Sequence, residues 1–260
     1  MECWKLGAAV VHYHAVDPVT GLPSNDAGLY AETVRLIKKE CDIITFPTLG
    51  AHGAPAGRRI AHIIEMAKDP ATKPDCVPVD MLTTNLDAYD ADKKTFTSMN
   101  RVYSNTIEAI MDITRGVKEV GVTPVPMIWN VAGVRITEAM IEMGIFKEPL
   151  YCEVSIFGDE YRAFGHPATV KGLGSIVDFF PPDADWRWAV NVIGGNGFAV
   201  LADTIERGGD PAIGLHDYPY PELGTPTNAE LIARVADLGR SMGREVATAA
   251  EARQMLGMPS

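Results

Sequence analysis

Nothing in this chain approaches the roughly 18 consecutive apolar residues that span a bilayer, and its start lacks a basic stretch followed by an apolar one. A soluble, cytoplasmic protein without membrane partners is the expectation. Cysteine is scarce: the four residues at 3, 41, 76 and 152 show no CxxC spacing. Reduced core thiols are therefore expected, rather than a disulfide framework or a thiolate zinc site. Positive charge is in deficit too, with 23 basic against 34 acidic residues and a net charge of -11. The average surface repels phosphate backbones, so nucleic acid is not an expected partner, and an anionic ligand needs a local cationic pocket. No linker or internal repeat divides the sequence, and residues 1–260 are read as a single domain. A hydrophobic content of 47% over 260 residues is ample for a buried core.

From Gly7 onward, short apolar runs alternate with longer segments of helical period, the signal for strand-helix units around a parallel sheet. Strands are expected over residues 8–13, 42–47, 75–80, 123–129, 151–157, 187–193 and 211–215. Helices are expected over 26–40, 56–68, 104–120, 134–144, 167–178, 196–207 and 227–242. Thr227 with Glu230, and Thr248 with Glu251, have capping-box spacing, the second pair opening a short final helix. Gly144 and Gly208 suit helix C-caps. Between Leu82 and Tyr103 the alternation lapses into Asp, Thr, Asn and Lys, which predicts a long loop of the kind that often carries function. The pattern points to a (β/α)8 TIM barrel, an α/β fold, with seven of its eight strands readable. Cys3, Trp4 and Leu6 followed by Gly7 read as the last turn of a helix with its cap. The first βα unit is thus expected to be missing from this chain.

Two of the six histidines stand in AAVVHYHAVD, where an apolar run ends in His12 and His14. Residues i and i+2 of a strand share a face, and the C-terminal ends of barrel strands are where such folds build their sites. Two neutral imidazoles placed so can converge on a divalent ion, most readily Zn2+, with a third ligand from elsewhere. The alternative is a pair of histidines hydrogen-bonded to neighbouring loops. In GDPAIGLHDY the same logic recurs: His216 follows an apolar run and is the candidate third ligand, with Asp217 as general base, supporting partner of the ligand, or loop cap. His52 lies in the glycine-rich loop AHGAPAGRR and faces the same end, as a fourth ligand, a substrate contact or an exposed loop residue. Arg58 and Arg59 of that loop are the local cations open to an anionic ligand. His62 and His166 are read as structural.

These residues resemble the β-keto acid cleavage enzymes. The resemblance rests on GAAVVHYHAVDPVTGLPS, on the PT-x-G turn from Pro47 to Gly50, on GG-x-x-x-x-G-L-x-D from Gly208 to Asp217, and on the ending GREVATAAEARQMLG. It implies a homo-oligomeric (β/α)8 barrel that binds a divalent metal, usually zinc, through the HxH pair and a later glutamate. It further implies conversion of a β-keto acid and acetyl-CoA into acetoacetate and a new acyl-CoA, with the aspartate beside the third ligand, here Asp217, as base. Thr48, Gly50, His52, Arg58 and Arg59 are then the candidates for contacts to substrate or CoA. Four positions depart from the family pattern: His216 for the glutamate ligand, Ala212 for an arginine, Met127 for a glutamate and Leu49 for a glycine. Three imidazoles make the site one charge more positive than two and a carboxylate. Two other readings stay open, a metal-dependent hydrolase and a catalytically impaired relative that binds a small ligand.

Overall fold

In the computed structural model, which describes residues 1–50 and 54–258, seven strands follow the chain around the sheet. They are β1 (Val10–Tyr13), β2 (Ile44–Pro47), β3 (Cys76–Asp80), β4 (Thr123–Ile128), β5 (Leu150–Phe157), β6 (Trp186–Ile193) and β7 (Asp210–Pro211). A short α1 (Glu2–Lys5) precedes them. Between and after them lie α2 (Ala27–Glu40), α3 (Ala56–Met66), α4 (Ile107–Glu119), α5 (Val131–Glu142), α6 (Val170–Val177), α7 (Phe198–Glu206), α8 (Asn228–Ser241) and α9 (Ala249–Met255). Both expected capping boxes are formed, Thr227 with Glu230 and Thr248 with Glu251, and Gly144 and Gly208 take the left-handed conformation beyond α5 and α7.

Every ladder between these strands is parallel and joins sequence neighbours, the order of a (β/α) barrel. The closed barrel expected from the sequence is corrected here. Among the described residues β1 and β2 form one ladder, β3 to β7 form another, and no ladder joins β7 back to β1.

Proline explains where the ladders weaken. Alternate residues of a parallel strand serve opposite neighbours, and a proline has no N–H to give. Met81 N–H donates to Met127 O at 3.0 Å, so the odd positions of β3 serve β4, and Pro78 falls on the side of β2. There Asp75 joins the strands instead: its N–H donates to Thr45 O at 3.2 Å, its carboxylate accepts from Thr45 N–H at 2.7 Å, and Arg253 of α9 donates to it at 2.7 Å. Pro124 and Pro126 likewise face β5, which pairs with β4 only through Met127 and Ile128. The last strand, expected over 211–215, shrinks to Asp210–Pro211. After Ala212 N–H donates to Val190 O at 2.8 Å, Leu215 N–H turns to Asn228 Oδ1 at 2.9 Å and the chain leaves the sheet.

The apolar side chains segregate into two layers. Ile44, Phe46, Val125, Met127, Tyr151 and Ala189 fill the inner face, plugged by Ala252, Leu256 and Met258. Val77, Val79, Cys152, Val154 and Val190 face outward under Ile63, Ile110, Val134 and Leu173 of the helices. Strands β2 and β5 are buried along their whole length, as parallel strands between two layers are, while β1, paired on one edge only, is partly exposed. Between Leu82 and Tyr103 the expected loop contains two short antiparallel pairs, Thr84–Asn85 with Val102–Tyr103 and Tyr89–Asp90 with Thr95–Phe96. All four cysteines are free thiols, Cys76 and Cys152 deeply buried. No helix of the described residues is long and apolar enough to cross a membrane.

Candidate active site

The three histidines singled out by the sequence meet at one end of the sheet. His12 ends the inner face of β1, and His14 follows one residue past the strand, on the same face. Their Nε2 atoms lie 3.2 Å apart. His216, from the turn after β7, stacks on His14 with ring centroids 4.8 Å apart and planes 25° from parallel. This contact bridges the edge at which β7 and β1 share no ladder. His216 does not directly continue the strand, contrary to expectation; it sits in a turn closed by Asp217 N–H to Gly214 O at 3.2 Å.

Desolvation by the surrounding protein, then the His14 imidazole, push the pKa of His12 down to about 3, with His216 adding a smaller contribution of the same sign. Because His12 retains accessible surface, repulsion between the two imidazoles is the firmer of the leading causes. The His12 ring is therefore a poor proton acceptor and presents a neutral nitrogen donor. Two nitrogens bound at about 2.0–2.1 Å to one tetrahedral ion stand about 3.3 Å apart, so the His12 and His14 pair fits a shared divalent cation. His216 lies face to face with His14 and needs its ring turned to add a third bond. Accordingly, no group of three or more His, Cys, Asp or Glu among the described residues stands ready as a metal cage.

Asp217 is held by its backbone, its carbonyl accepting from Gly194 N–H at 2.9 Å. Burial raises its carboxyl to about 6, against a smaller opposing pull from His216. Thr48 is buried beyond β2, its N–H donating to Tyr13 O at 3.1 Å. Gly50 has φ of 53°, and a Cβ there would meet Asn25 Oδ1 at 2.6 Å, so this turn requires glycine. Leu49 packs in the outer apolar layer. His52 lies outside the described residues.

The two arginines separate. Arg58 is exposed, whereas Arg59, 2% exposed, is enclosed within the fold. Its guanidinium donates to Asn105 Oδ1 and to Tyr103 Oη, each at 2.5 Å, and stands 3.6 Å from Asp80 at the end of β3. Tyr103 in turn donates to Asp80 at 2.5 Å. Arg59 thus ties α3 to β3 and to the 82–103 excursion, and it is committed away from solvent. Replacing Arg59 by alanine is expected to destabilise the fold by about 3–5 kcal/mol, since Asp80 is left in a nearly buried place without its cation. Urea unfolding followed by circular dichroism measures this, and a loss below about 1 kcal/mol would refute the assignment.

Sequence reasoning missed Glu153. It is 5% exposed on β5, directly opposite Met127 of β4 and Ala189 of β6. Burial, then the carboxylates of Asp217 and Asp80, raise it to about 8. A lone acid inside the apolar run LYCEVSIF was the available signal. Asn191 of β6, one inward-facing position further along, carries a buried Oδ1 without a hydrogen-bond partner.

Comparison with known proteins identifies the family. Residues 1–258 match the family model described as beta-keto acid cleavage enzyme. The chain belongs to that family. It is 25% identical over 278 residues to 3-dehydrocarnitine:acetyl-CoA trimethylamine transferase of Rhizobium meliloti (strain 1021), covering 98% of this chain and 85% of the relative. Against the 3-keto-5-aminohexanoate cleavage enzyme of Acetoanaerobium sticklandii, identity is 26% over 263 residues, covering 99% and 86%. In fold, the chain is similar to the apo structure of ObcA, with a TM-score of 0.74 at 16% identity. That match covers 99% of this chain, which spans 63% of the length of ObcA.

Proposed function

We propose that this protein exchanges acyl groups between a β-keto acid and acetyl-CoA with the help of a divalent metal, releasing acetoacetate and a new acyl-CoA. The observation that carries this reading is the pair of facing His12 and His14 nitrogens beside His216 and Asp217, in a chain of the β-keto acid cleavage family. His12, His14 and His216 would hold the ion, most readily Zn2+. When bound, such an ion supplies Lewis acidity to the keto and carboxylate oxygens of the substrate.

Asp217 does the proton work. The carbon between the keto and carboxylate groups must lose a proton before it can form a bond to the acetyl carbon. A carboxylate raised to about 6 is a better base than a free aspartate yet stays largely ionised at neutral pH. The reaction balances as an exchange: the substrate's acyl group leaves on CoA sulfur, and the acetyl group takes its place on the two-carbon acid. Thr48 and Gly50 shape the turn beside the histidines for substrate. Arg58 remains exposed and serves as the cation for CoA phosphates. His52 completes the same candidate set.

The test is a panel of β-keto acids with acetyl-CoA and zinc-loaded protein, read as acetoacetate formed. Turnover of at least one member is expected, lost on chelation and restored by one equivalent of zinc. A metal-loaded protein that turns over none of the panel overturns the proposal.

A further inference from the structure

Glu153 occupies a place that costs the fold and brings it no compensating bond. Its strand is buried throughout; Tyr151, two residues earlier, belongs to the inner layer, and Cys152 and Val154 belong to the outer one. Glu153 therefore points into the interior. Its cross-strand neighbours, Met127 and Ala189, offer no hydrogen bond. Among the described residues its carboxyl has no hydrogen-bond or ion-pair partner, and the buried guanidinium of Arg59 is spent on Asp80. Buried polar groups are almost always paired, and a carboxyl left without a partner in an interior is costly. Close by, Asn191 Oδ1 is also buried and unpaired, and Ala212 next to it is too short to reach either group.

We propose that Glu153 sets the specificity of this site, selecting β-keto acids whose tail carries a hydrogen-bond donor such as a hydroxyl over those with a purely alkyl tail. This rests on the β-keto acid cleavage reading given above. Asp217 is held by Gly194, just past the end of β6, and Glu153 stands on the inner face of the neighbouring β5 opposite Ala189 of β6, so a substrate placed against Asp217 extends its tail toward β5 and β6. Burial, with Asp217 and Asp80 facing it, keeps the proton on Glu153 at neutral pH, so the group both donates to and accepts from a tail hydroxyl. Asn191 Oδ1 offers a second acceptor. An alkyl tail would leave all of these unpaired, and a site built to pair a substrate hydroxyl discriminates strongly against its absence.

The experiment measures binding by calorimetry of 5-hydroxy-3-oxohexanoate and 3-oxohexanoate to the wild type, E153Q and E153M, with turnover as a separate readout. The wild type is expected to favour the hydroxylated acid at least tenfold. E153M, similar in volume and apolar, brings the ratio to about one, and E153Q, which can still donate and accept, restores part of it. E153A gives the same comparison as E153M with a smaller side chain should the latter not fold. A wild type without preference, or a ratio unmoved in E153M and E153A, overturns the inference. Turnover with an unmoved ratio removes this inference alone, whereas a moved ratio with no turnover of any β-keto acid removes the cleavage reading alone.

Discussion

Asp217→Asn lowers kcat for acetoacetate formation by about two to four orders of magnitude, the range a positioned general base contributes, while KM changes much less. The substitution is isosteric, and the turn that presents residue 217 is made by backbone: Asp217 N–H to Gly214 O and Gly194 N–H to Asp217 O. The variant should therefore fold as the wild type does, leaving proton transfer as the quantity changed. A pH profile adds a second readout. The acidic limb of wild-type kcat/KM lies at or below pH 6, because burial raises Asp217 to about 6 and a cation held beside it on His216 only brings it down. Activity is lost as pH falls through that value, where the base is protonated, and D217N lacks this limb. A variant within tenfold of wild type would remove Asp217 from its role.

His12→Ala carries the other large effect. One of two nitrogens 3.2 Å apart is removed, so zinc affinity falls by more than about a hundredfold, beyond what loss of a mere supporting contact to a ligand costs. Activity at limiting zinc falls with it. Competition against a chromophoric chelator measures the affinity directly, without substrate. His14→Ala behaves alike. His166→Ala is the control, since His166 pairs with Ser175 Oγ at 2.6 Å on another part of the fold. Zinc affinity equal in His12→Ala and the control would refute a metal role for the pair, whatever happened to turnover.

Which parts of this architecture were legible in advance follows from the range of the interactions involved. The apolar runs that became β2 and β5 announce themselves because both faces are buried, leaving no alternation to obscure. The ladder breaks are a different matter. Pro78, Pro124 and Pro126 are plain in the sequence, yet which neighbour each deprives of a hydrogen bond depends on register and strand order. The two arginines show the same limit. Adjacent in GRR, they differ in exposure because the first turn of α3 points one outward and the other toward Asp80.

What the chain determined by itself is local. Thr227 with Glu230 and Thr248 with Glu251 start α8 and α9, Gly144 and Gly208 follow α5 and α7, and His12 with His14 share a face, all through contacts or periodicities spanning a few residues. The tertiary structure alone decided that His216 stacks on His14, that Arg59 is enclosed, and that Glu153 keeps its proton to about pH 8. The reason is physical. A carboxyl's ionisation is set by the water excluded around it and by charges arriving from other strands, and neither quantity exists until the strands have been brought together.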